Sequence, residues 1–154
     1  MHEEKIAFKQ QLKQFARAII EERIATSEKA MGNAQEAANN EEKSSAGDKY
    51  ETARAMGHLE KDMHARQLAE HLKDLNRLIG IDVNTIHTGA MAGTLIECDT
   101  ISFFIAAGLG KQDVAGRELI FLSPGAPLVK LLQGKKVGDH FDFNGRQMEI
   151  TGIY

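Results

Sequence analysis

Apolar residues in the first half of the chain recur at helical spacing. Phe8, Leu12, Phe15 and Ile19 are separated by four and three residues, and Ile20, Ile24, Ser27, Met31, Ala34 and Ala38 continue the same spacing one position later. This is coiled-coil periodicity with a phase shift. A second stretch sets Met56, Leu59 and Met63 on one stripe and Leu68, Leu72, Leu75 and Ile79 on a neighbouring one, all read as packing residues. Between the two stretches, Asn39-Asn40-Glu41-Glu42-Lys43-Ser44-Ser45-Ala46-Gly47 is polar and turn-prone, which predicts a hairpin tip joining antiparallel helices. The second helix, from about Asp48 to Ile79, would be on the order of 45 Å long, more than the width of a small domain, so the hairpin is expected to project. Its interface narrows from Phe and Leu to Ala and Ser toward the tip. Gly32, costing roughly 1 kcal/mol relative to alanine in a helix interior, predicts local weakness.

Near Gly80 the pattern changes. Both prolines and most glycines follow it, and the apolar runs shorten into strand-like segments: Thr94 to Cys98, Ile101 to Ala107, Glu118 to Leu122, Asp139 to Phe143 and Gln147 to Ile153. Pro127 to Leu132 is the helical segment there, with Pro127 in a suitable first-turn position and Gly134 ending it. The predicted class is α+β: an N-terminal coiled-coil hairpin, residues 1–79 with an acidic tip near 44–51, followed by a β-rich domain, residues 80–154.

The 154 residues carry 42% hydrophobic and 27% charged side chains, which is enough apolar material for a core and argues against wholesale disorder. A formal charge of -3 excludes a large unspecific nucleic-acid face and a polybasic membrane anchor. Cys98 is the single cysteine, so an intramolecular disulfide and a zinc ribbon are both excluded; it is read as a small core residue. The opening Met1-His2-Glu3-Glu4-Lys5 lacks the basic-then-apolar order of a secretory leader, and a cytoplasmic location is expected.

The tip offers the most pointed chemistry. Asp48 and Glu51 are three residues apart, so at a helix start they share a face, where two hard oxygen donors can share a Mg²⁺ completed by ligands from elsewhere. The same pair also fits a capping box, with Asp48 as N-cap and Glu51 at N3. Spacing alone leaves both readings open.

Gly47-Asp48-x-x-Glu51 between two long helices resembles the tip of the Gre family of transcript cleavage factors, whose pattern is Gly-Asp-Leu-Ser-Glu-Asn. Leu122-Ser123-Pro124, then Leu131-Leu132-Gln133-Gly134-Lys135-Lys136-Val137-Gly138-Asp139, and finally Met148-Glu149-Ile150-Thr151-Gly152-Ile153 resemble further family segments in the same order. The resemblance implies an FKBP-like C-terminal domain that docks on bacterial RNA polymerase, and a hairpin that enters the secondary channel and reaches the nascent RNA 3′ end. Asp48 and Glu51 would then help to hold a Mg²⁺ shared with the polymerase, so that a backtracked transcript is cleaved by two-metal hydrolysis. The chain would stimulate the polymerase rather than catalyse alone. It departs from the family at Lys49, Tyr50, Thr52 and Arg54; Lys49 and Arg54 would damp the metal site, contact RNA phosphates or polymerase, or serve as solvated helix charges.

Other features carry less. His64 and His71 lie about two turns apart, too far for a compact metal pair, and His58 and His87 have no matching partners, so all four are read as surface residues. Phe103, Phe104, Phe121, Phe141 and Phe143 are read as core. Gly108-Leu109-Gly110 and Gly134-Lys135-Lys136 fail nucleotide-loop spacings. The competing functions are a polymerase regulator that blocks the channel without promoting cleavage, a structural coiled-coil adaptor, and a prolyl isomerase.

Overall fold

A computed structural model describes the backbone of residues 2–43 and 47–154, and side chains outside residues 41–50. Two long helices come first, α1 (His2–Lys43) and α2 (Gly47–Ile79). Then follow β1 (Leu95–Cys98), β2 (Ser102–Ile105), β3 (Gly110–Val114), β4 (Arg117–Leu122), α3 (Pro127–Leu132), β5 (His140–Phe143) and β6 (Arg146–Ile153). The α+β class and the order of helices before strands agree with the sequence. No helix among the described residues is long and apolar enough to cross a membrane.

Packing groups the segment up to Arg17 with Arg77–Tyr154 in one compact unit, and Ala18–Asn76 in another. Composition alone divides the chain at Gly80, following secondary structure; packing brings the opening turns of α1 to the strands.

In the first unit a six-stranded sheet runs in the order β3-β4-β2-β1-β6-β5. Only β2 and β4 pair in parallel; the other neighbours are antiparallel. Side chains alternate across such a sheet, so Phe103 and Phe104 face opposite ways. Phe103, with Ile96, Ile105, Phe141, Met148 and Ile150, packs with Val129 and Leu132 of α3. Phe104 lies beside Phe121 on the other face, their rings edge to face at 5.7 Å, and Phe15 of α1 packs on Phe121 at 5.8 Å. Leu12 and Ala16 are completely buried there.

Polar contacts fix the same helix. The Lys9 ammonium, buried, donates to the Thr85 carbonyl at 2.7 Å, and Lys13 donates to the carbonyls of Ile79 and Ile81 at 3.1 and 2.8 Å. Arg117 stacks over the Phe8 ring at 4.3 Å, and Lys5 over Tyr154 at 4.9 Å. Burial pushes the Lys9 amine below the usual lysine range, a trend partly opposed by the Asp82 carboxylate. Within the loop so held, Gly93 has φ +93 and stands against the Asp82 carbonyl, where a Cβ would collide.

Strand β3, absent from the sequence expectation, is an edge strand. Its Gly-Lys-Gln-Asp-Val run is largely exposed and lacks apolar alternation, so no hydrophobic signal marks it; its charges suit an edge that must resist further pairing.

The second unit is an antiparallel helical pair. Ile20, Ser27, Ala34 and Ala38 are buried along α1, with Ile24 and Met31 half-buried between them. Lys61 donates to the Gln35 side chain at 2.6 Å, and a Cβ on Gly57 would lie 3.1 Å from the Ala38 Cβ. The second helix turns Ala53, Gly57, His64, Leu68, His71 and Leu75 inward, all half-buried. The Met56, Leu59 and Met63 stripe, expected to pack, is instead 60%, 68% and 49% exposed, and Leu72 is exposed as well. Close approach explains the difference: Ala38 fits against Gly57, whereas Met56, one residue away and roughly 100° around the helix, points elsewhere.

Three stability effects should follow. Leu12→Ala should destabilise the first unit by about 2–5 kcal/mol, because it empties a fully buried site, and urea unfolding read from the strands' circular dichroism would measure it. Gly32 has open space where its Cβ would stand, so Gly32→Ala should stabilise the helical pair by about 0.5–1 kcal/mol. Gly57→Ala should gain less in the same thermal melt, since its new methyl presses on Ala38.

Candidate functional site

The tip lies where α1 ends at Lys43 and α2 begins at Gly47. Because α2 begins at Gly47, Asp48 stands at its start, beside the helix end where either a cap or a metal-positioning carboxylate would act. Positions 48 and 51 are three residues apart on one helix, about 60° around its axis, and therefore share a side. They stand at the end of the helix where backbone amides point outward and negative charge is favoured. Position 49 falls on roughly the opposite side from 51, and position 54 one turn beyond 51.

Glu51, Thr52 and Arg54 are exposed. The side chains of Asp48, Lys49 and Tyr50 lie outside the described residues. Two carboxylates are hard oxygen donors of the kind Mg²⁺ takes, with the rest of its octahedron left to water or to ligands from elsewhere. No group of three or more His, Cys, Asp or Glu side chains is placed to hold a metal among the described residues.

The histidines depart in part from their surface reading. His64 and His71 are half-buried, because a separation of seven returns each to the inward side of α2. The His64 ring is 3.3 Å from the Gln67 side-chain oxygen, and His71 borders a groove of about 540 Å³ with Glu22, Arg23 and Ser27. His58 is exposed, while half-buried His87 sets its Nε2 3.3 Å from the Asp82 carbonyl. The phenylalanines are core as expected: Phe103, Phe104, Phe121 and Phe141 are buried, and Phe143 packs its ring edge on Phe103 at 5.3 Å.

One polar cluster has no local sequence signal. The Tyr154 hydroxyl donates to Glu97, and Arg117 approaches the same carboxylate at 3.6 Å. Burial, reinforced by the Glu97 hydrogen bond and charge, pushes the Tyr154 phenol up to about 12, so it stays protonated as a donor at neutral pH. This arrangement ties β6 to β1 and β4, an anchoring role.

Comparison with protein-family models, with curated proteins and with solved structures returns no match.

Cys98 is half-buried on β1, and burial, then the neighbouring Asp99 charge, pushes its thiol up to about 12. The thiolate is the reactive form, so this side chain is a poor nucleophile and a poor metal ligand at neutral pH. Alkylation by iodoacetamide near pH 8 should run at least about tenfold slower in the folded chain than in denaturant, as read by mass spectrometry. Equal rates would show a thiol freely available in the native fold.

Proposed function

We propose that this chain is a Gre-like transcription elongation factor that binds bacterial RNA polymerase, inserts its helical hairpin in the secondary channel and stimulates cleavage of backtracked RNA. One observation carries the reading: positions 48 and 51 fall on one side of α2 near its start, in an antiparallel helical pair. Mg²⁺ is commonly held by one or two carboxylates with the rest of its octahedron filled by water and substrate phosphates, which is what a partner's active centre would provide.

In this reading the β-rich unit is FKBP-like and docks at the channel rim, acting as an anchor. Asp48 and Glu51 present their oxygens toward the polymerase active centre and the nascent RNA 3′ end, and the helix start supports their negative charge. When bound, a Mg²⁺ shared with the polymerase would stabilise charge on the attacked phosphodiester and acidify a water. The chain itself is not an enzyme here. It supplies two oxygen donors at a fixed spacing, and the polymerase supplies the remaining ligands and the substrate.

Lys49 and Arg54 favour a second reading, a regulator that occupies the channel without promoting cleavage. Arg54 is exposed one turn beyond Glu51, where a guanidinium competes with a cation for the same carboxylates or holds an RNA phosphate.

Stalled, backtracked complexes of the source organism's polymerase separate the readings. Asp48→Asn and Glu51→Gln should each lower stimulated cleavage about tenfold or more while binding survives, because an amide oxygen is a much poorer ligand for Mg²⁺ than a carboxylate. Raised Mg²⁺ should restore part of the loss, with thermal melts showing an intact helical pair. Unchanged cleavage in both variants would reduce the two residues to stabilisers of the helix start. Suppressed cleavage with the parent chain would establish the blocking regulator.

A further inference from the structure

The α3 side of the sheet is only partly covered. Helix α3 has six residues, and Val129 and Leu132 seal the centre of that face. Toward the β5–β6 turn, Ile101, Ile120 and Phe143 stay partly exposed. They form, with buried Met148, the apolar floor of a cavity of about 630 Å³, within the roughly 300–1,000 Å³ typical of small-ligand sites. Its shape is built into the backbone. Asn144 and Gly145 have φ of 51° and 77°, the conformation of a tight hairpin turn, and the β5–β6 register sets Phe143 directly opposite Arg146.

The rim is polar and unevenly charged. Lys111 and Glu118, from the β3–β4 hairpin, pair at 3.3 Å and cancel. Among the described residues Arg146 has no ion-pair partner, so one positive charge at the rim is uncompensated. Thr100 and Asn144 add a hydroxyl and an amide, with the Thr100 hydroxyl turned toward the Met148 sulfur at 3.8 Å. A guanidinium offers two parallel N–H donors that match a carboxylate.

We propose that this cavity binds an apolar group bearing one free carboxylate, with the apolar part on Ile101, Ile120, Phe143 and Met148 and the carboxylate on Arg146. Two sources share that chemistry: a small aliphatic or aryl acid, and the hydrophobic C-terminal residue of a peptide. The proposal is independent of the polymerase reading, since it uses only residues of the β-rich unit.

The test is a backbone amide NMR titration of the full chain with four probes: 4-phenylbutyrate, its amide, and a short peptide ending in phenylalanine with a free or an amidated C-terminus. At least one free acid should shift the resonances of Thr100, Ile101, Ile120, Phe143 and Arg146 saturably, and its amide should bind about tenfold or more weakly, as expected for loss of a charge-assisted hydrogen bond. Arg146→Gln, a substitution at an exposed position, should cost the acid a similar factor and leave the melting temperature unchanged. Saturation by the small acid alone names a free metabolite-like acid as the ligand class; saturation by the peptide alone names a chain terminus. Absence of saturable shifts with either acid at millimolar concentration, or acid binding indifferent to Arg146→Gln, would overturn the proposal.

Discussion

The six-stranded sheet has two apolar faces, and water is a poor neighbour for either. One is closed by α3 through Val129 and Leu132, the other by the opening turns of α1 through Leu12 and Phe15. Much of the first unit follows from that second closure. A helix laid on Phe121 has to be held in register, and Lys9 and Lys13 do this by reaching the carbonyls of residues 79, 81 and 85. The long lysine stems bury their methylenes while their ammonium groups satisfy backbone oxygens that would otherwise lack donors. The strand-free stretch between α2 and β1 is thereby shaped by side chains 66 to 76 positions earlier.

The helical pair in the second unit obeys a different constraint. Around Ala34, Ala38 and Gly57 its inward positions are small, so backbone proximity there takes the place of the bulky apolar burial that Ile20, Leu68 and Leu75 provide elsewhere along the pair. Such an interface gains less per residue than one of leucines, because less apolar surface leaves water. It also leaves Met56, Leu59 and Met63 outside, an apolar stripe that no described residue covers.

The cavity beside Arg146 arises from the same economy of cover. A six-residue helix can seal one patch of a curved sheet, and the hairpin turns bring Lys111, Glu118 and Arg146 around the remainder. Short strands and left-handed turn residues put charges at the border of apolar surface, which is where an amphipathic ligand can be oriented.

The sequence by itself determined which segments are helix and which are strand wherever the apolar period was strong: α1 and α2 from their three-and-four spacing, α3 from Pro127 and Gly134, and most strands from β-branched and aromatic runs. It also placed Asp48 and Glu51 on one side of a helix start, because that depends only on local geometry. Strand β3 was illegible, since a largely exposed edge strand whose one buried apolar residue is Val114 has no hydrophobic alternation to display. The inward side of α2 was legible at Leu68 and Leu75 but not nearer its start. Met56, Leu59 and Met63 are as periodic as Gly57, His64 and His71, and only the closeness of Ala38 selects the glycine side. The embrace of the sheet by α1, the Tyr154–Glu97–Arg117 cluster and the rim around Arg146 join residues far apart in the chain. Tertiary structure alone decided them, because hydrophobic spacing reports which side of an element is apolar but carries no information about which other element will cover it.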